Sequence, residues 1–195
     1  MIHNGEEAAK YHSRAEEIKS REAEVGANQE TVVDGNGAIA AVISSNEDGT
    51  ISSVTKVLCA MFGYDRLTLI GRNVKSIVPS PWKEKHDLFL DNYRNTGETK
   101  VIGKPARKLF AQHRDGYSFA MNLSIQERRN ENGEKSFLAF INRTDRDKQE
   151  GVILIDESGQ IILISEAATK LFGYTALECL RNVHYIFLID RMSQF

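Results

Sequence analysis

Cysteine, proline and tryptophan are scarce in this chain of 195 residues, which has two, three and one of them. Two cysteines without metal-ligand spacing exclude a disulfide scaffold and a zinc module. Cys59 and Cys179, expected in corresponding helical segments, read as small buried apolar side chains. Neither sign of charge dominates: 25 Lys and Arg stand against 27 Asp and Glu, a net charge of -2. That balance leaves no basic footprint for nucleic acid or anionic lipid. No stretch reaches the roughly 18 apolar residues of a membrane helix, and the first thirty lack the basic-then-apolar pattern of a secretory signal. The expectation is a cytoplasmic protein with no nucleic-acid or membrane partner in this segment. A phosphate-binding glycine loop with lysine, a nucleophile elbow and a zinc motif are all missing. Any enzymatic activity is therefore expected in domains outside this chain.

What is present is a repeat. At an offset of 110, Val42-Ile43 falls on Val152-Ile153, Glu47 on Glu157, Gly49 on Gly159, Ile51 on Ile161 and Phe62-Gly63-Tyr64 on Phe172-Gly173-Tyr174. Leu67 then meets Leu177, and Arg72-Asn73-Val74 recurs as Arg181-Asn182-Val183 once Gly71 is skipped. One supersecondary plan is used twice. The organisation expected is a helical leader over 1–35, a complete domain over 36–144, a linker over 145–150 and an incomplete second copy over 151–195. With the second copy stopping at Phe195, the chain is read as a piece of a larger protein.

Within the leader, Ala8 to Glu24 is rich in Ala, Glu, Lys and Arg without Gly or Pro, which favours a solvated helix; Gln29 to Gly37 reads as a loop. Ile39 to Ser44 and Thr50 to Val54 flank Asn46-Glu47-Asp48-Gly49, a hairpin signal. Lys56 to Phe62, ended by Gly63, and Arg66 to Ile70, ended by Gly71, read as short helices. Pro79 and Pro81 introduce a longer one, Trp82 to Arg94, closed by Asn95-Thr96-Gly97. Strands are predicted over Val101 to Ala111, Tyr117 to Gln126 and Ser136 to Asn142. In the middle one Phe119, Met121, Leu123 and Ile125 share a face, with Ser118, Asn122, Ser124 and Gln126 opposite. In the long helix, Trp82, His86, Phe89 and Tyr93 recur at spacings of four, three and four, one stripe that would present His86 to the interior. His113, beside the Arg114-Asp115-Gly116 turn, reads as a surface residue, and His3, His12 and His184 are scattered; together they make no metal set.

The order of elements, with Phe62-Gly63-Tyr64, Ile70-Gly71-Arg72-Asn73-Val74, Thr96-Gly97-Glu98, Val101-Ile102-Gly103 and Arg114-Asp115-Gly116 leading to Phe119, resembles the PAS family. The resemblance covers about 109 residues and then restarts. It implies an α+β PAS fold, a five-stranded antiparallel sheet with several short helices and one longer helix on one face. Asn142-Arg143-Thr144 departs from the family's Asp-Ile/Leu-Thr at the exit of the last strand.

His86-Asp87 through Tyr93, followed by Thr96-Gly97 and Val101-Ile102-Gly103, is similar to the haem PAS domain of FixL-type oxygen sensors. That resemblance implies haem b with His86 as the iron ligand. It also places Leu123 and Ile125, with Met121 on the same strand, where apolar residues crowd bound gas; Val101 is a further wall, and Phe89 and Tyr93 share the stripe of His86. The family's distal arginine falls on Arg107 with one inserted residue after Gly103, and on Ala106 without it. No cysteine lies near the long helix, where light-sensing flavin relatives carry their adduct-forming thiol. Two functions stay open: a sensor and signal-transduction module binding a small ligand, with haem and O2 as its specific form, and a ligand-free interaction module. In the second, a homodimer would form through the N-terminal helix and the outer sheet face. The downstream effector is not specified by either.

Overall fold

The computed structural model describes residues 40–129, 132–144 and 150–182, which belong to one compact unit. The leader helix, the Gln29–Gly37 loop, residues 145–149 of the linker, and His3, His12 and His184 lie outside the described residues. In chain order the elements are β1 Ala41–Asn46, β2 Ile51–Val54, α1 Lys56–Phe62, α2 Arg66–Leu69, a 3₁₀ turn Val74–Ile77, α3 Trp82–Thr96, β3 Arg107–Gln112, β4 Ser118–Arg129 and β5 Lys135–Arg143. The second copy contributes β6 Ile153–Ile155, β7 Ile161–Ile164, α4 Glu166–Phe172 and α5 Ala176–Asn182.

The first copy is a five-stranded sheet in the order β2-β1-β5-β4-β3, and every neighbouring pair is antiparallel. Alternation along the strands puts Ala41, Ile43, Ala111, Phe119, Met121 and Ile141 on one face, where they close over Leu58 and Phe62 of α1 and Leu69 of α2. Helix α1 starts because the Thr55 hydroxyl accepts from the Leu58 N–H, satisfying one of the unpaired donors of the first turn. It stops at Gly63, whose φ of 72° belongs to the left-handed region open to glycine.

The second copy repeats these devices 110 residues on. Ser165 caps α4 as Thr55 caps α1, its hydroxyl accepting from the Ala168 N–H at 3.2 Å, and Ile161, Ala168 and Cys179 are buried where Ile51, Leu58 and Leu69 are. The cysteines are thus not in corresponding helices: Cys59 is half-buried in α1, whereas Cys179 is buried in α5, the counterpart of α2. Only β6 and β7 pair in this copy, among the described residues.

The main departure from expectation is the third strand, which begins at Arg107 rather than Val101. Thr99 Oγ1 accepts from the N–H groups of both Val101 and Ile102 at 3.1 Å, closing a local turn. Pro105 then has no N–H for a ladder. Ile102 instead makes a single parallel bridge with Ile125. No helix among the described residues is long and apolar enough to cross a membrane.

Candidate functional site

Helix α3 owes its position to its ends. At its C-terminal half, the Tyr93 hydroxyl donates to Glu127 of β4, and its ring meets Phe137 of β5 edge-on with centroids 5.8 Å apart. Arg94 donates to the Glu47 carbonyl in the β1–β2 hairpin at 3.0 Å. At its start, Trp82 stacks on Phe110 of the edge strand β3, 6.5 Å between centroids, and Lys75 of the 3₁₀ turn binds Asp87 at 2.7 Å. Glu127 and Phe137 are register partners and alternate in phase with Leu123, Ile125 and Ala139, so the C-terminal half of α3 lies against the face that carries the core.

His86 follows Trp82 by four residues and precedes Tyr93 by seven, close to whole helical turns, so the three point to one side. Trp82 is fixed near Phe110, whose register partner is Ala120, and Tyr93 near Glu127. His86 thus lies on α3 between these two anchors. Its Nδ1 is buried with no hydrogen-bond partner. An orphaned imidazole nitrogen in an apolar setting costs free energy that nothing in the protein returns.

The surroundings are apolar and incompletely covered. Helix α3 has no buried residue at all; Trp82 is 39% exposed, Phe89 54% and, on β3, Leu109 37%. Leu123, Ile125 and Val101 are half-buried, while Met121 is buried in the core opposite Leu109. Sequence reasoning thus placed Met121, Leu123 and Ile125 on one face of one strand, and that is where they are. Phe89 flanks His86, ring centroids 6.4 Å apart. Tyr93 is engaged in holding the helix, and its bond to Glu127 raises its pKa. Arg107 is the register partner of Leu123 and donates to the Lys100 carbonyl at 3.1 Å. With Lys100, Lys104, Pro105 and Ala106 it lines an open groove of about 630 Å³. Lys104 fell inside the strand expected from Val101, and Lys100 just before it.

His113 is not the surface residue it was expected to be. Its side chain is 11% exposed and stacks on Tyr117 at 4.4 Å, and the hairpin carrying it is bound to the end of α1 by Arg114, whose N–H donates to the Phe62 carbonyl at 3.0 Å. Burial lowers the pKa of both His113 and His86, against the opposing pull of Asp115 and Asp87. A histidine whose folded pKa is depressed contributes stability that is present above the unfolded value, about 6.5, and lost as pH falls through that value towards the folded one. The urea midpoint is expected to fall between about pH 7.5 and 5.5, and less so in His86→Gln and His113→Gln; identical slopes in all three proteins would refute the assignment.

The PAS domain family model matches residues 39–145 and again 149–193. The chain belongs to the PAS family. PAS domains are sensory modules rather than catalytic ones. The chain is 36% identical over 138 residues to a probable serine/threonine-protein kinase of Dictyostelium discoideum, covering 71% of this chain and 9% of that protein. It is 30% identical over 125 residues to the sensor protein FixL of Bradyrhizobium diazoefficiens, covering 64% and 24% respectively. The oxygen sensor protein DosP of Escherichia coli is 22% identical over 149 residues, 68% of this chain and 18% of that one. Each relative is thus matched over less than a quarter of its length. Among solved structures, the PAS domain of an HTR-like protein from Haloarcula marismortui aligns with a TM-score of 0.45 at 22% identity, over 70% of this chain and 99% of that one.

Proposed function

We propose that the first PAS copy binds haem b, whose iron His86 would hold, and that the occupied domain passes a conformational signal to other domains. The reading is carried by the buried, unpartnered Nδ1 of His86 on a helix whose apolar stripe is left uncovered. It is supported by the likeness to FixL and to an oxygen sensor protein. A neutral imidazole is an iron ligand, and desolvation keeps His86 neutral at lower pH than usual. Leu123, Ile125 and Val101, apolar and half-buried, would supply the wall that excludes water from such a group. Lys100 and Arg107 sit at the groove and would take anionic groups of the ligand. Haem, when bound, would supply the iron on which a diatomic gas such as O2 can be held.

The test is titration of the full chain with haemin. A Soret band that saturates near one equivalent and is lost in His86→Ala is the expected result; a band unchanged in that variant, or no band with the native chain, overturns it.

A further inference from the structure

At the exit of β5 the family's usual Asp-Ile/Leu-Thr is replaced by Asn142-Arg143-Thr144, and the substituted arginine reaches into the second copy. Its Nη2 lies 2.6 Å from Glu166 Oε2 in the first turn of α4, while its guanidinium stacks over the Phe119 ring of the first core at 4.7 Å. Its Nε is buried without a partner. In the sheet, Arg143 is the register partner of Met121. Two further contacts lie alongside: Ser118, the first residue of β4, bridges to Ser165, the cap of α4, both buried, and Tyr117 packs against both apolar cores.

We propose that Arg143, with the start of β4, is the joint through which the state of the first domain's site is communicated to helix α4 of the second copy. The argument is geometric. Strand β4 carries the joint at Ser118 and Phe119 and the site wall at Leu123 and Ile125, only about 17 Å from Ser118 to Leu123 at a rise of ~3.4 Å per residue. A strand hydrogen-bonded on both sides moves as a unit, so displacing Leu123 shifts Phe119 beneath the guanidinium. A planar guanidinium holding a ring face and a carboxylate together is sensitive to either. Coupling of this kind is reciprocal. It does not depend on haem, only on movement of the site wall.

The experiment is hydrogen exchange of the full chain, read at the amides of α4. Arg143→Leu and the isosteric Glu166→Gln are each expected to raise exchange there about fivefold, and the double variant no further. The Glu166–Lys170 pair within α4, 2.7 Å apart, stays available in Arg143→Leu. Leu123→Phe, which pushes on the site wall, is expected to change α4 exchange in the native background and to leave it unchanged when either Arg143→Leu or Glu166→Gln is present. The same change in all backgrounds, or no change in any, overturns the proposal. Glu166→Gln preserves volume and decides the matter if Arg143→Leu loses the fold by Trp82 fluorescence.

Discussion

Phe62→Ala should cost about 3–5 kcal/mol, the range for removing a fully buried aromatic ring and leaving the space unfilled. Phe62 has no exposed surface and meets Phe119 edge-on at 5.1 Å, an arrangement that adds to the area it buries. Trp82, the chain's one tryptophan, lies in α3 of the first copy, so its fluorescence follows the unfolding of that copy in urea. The repeat provides the control. Phe172 occupies the same place in Phe-Gly-Tyr, but it is only half-buried, whereas Phe62 is fully buried. Phe172→Ala should therefore cost the second copy less than half as much, read by hydrogen exchange of α4. Equal losses at the two positions would show that the motif alone, and not the depth of burial, sets the packing energy.

That contrast marks how far the sequence could be read. The hairpin at Asp48-Gly49, the bounds of α1 and the alternation of β4 were legible because each is written in neighbours two to four residues apart. Asp48 Oδ1 accepts from the Thr50 N–H at 2.9 Å, and Thr55 needs only Leu58 to act as a cap. The start of β3 was misread because Val101 and Ile102 have strand side chains, while Thr99 takes their N–H groups for a turn. For the candidate site, the face bearing Met121, Leu123 and Ile125 followed from alternation. The orphaned nitrogen of His86 depends on contacts between α3 and a sheet far along the chain. The bond from Arg143 to Glu166 was not legible at all. A departure from family pattern was visible at the exit of β5, but nothing local says that an arginine there will find the first turn of a helix 23 residues later.

Among the described glycines, Gly63→Ala should be the most damaging change to alanine, and Gly173→Ala a mild one. Both glycines end a short helix at a φ of 72°, where an L side chain costs about 1–2 kcal/mol. The two sites differ in what the methyl would meet. At Gly63 an added Cβ would sit 2.2 Å from His113 Nε2 and 2.9 Å from Arg114 Cγ, against a hairpin that Arg114 ties to the Gly63 carbonyl at 3.0 Å. At Gly173 nothing lies within 4 Å. The ring of His113 has little freedom to retreat, being stacked face to face on Tyr117. Gly63→Ala is therefore expected to lose the backbone cost and a further 1–3 kcal/mol of displaced packing, the size of coupling seen between touching residues. The decisive measurement is the double-mutant cycle with His113→Ala: removing the ring should abolish most of the extra loss, leaving Gly63→Ala with the backbone strain and the contact with Arg114 Cγ. If the penalty at Gly63 is unchanged when the ring is gone, the hairpin does not rest on the end of α1, and the packing that joins the first copy's helices to its β3–β4 turn is wrong.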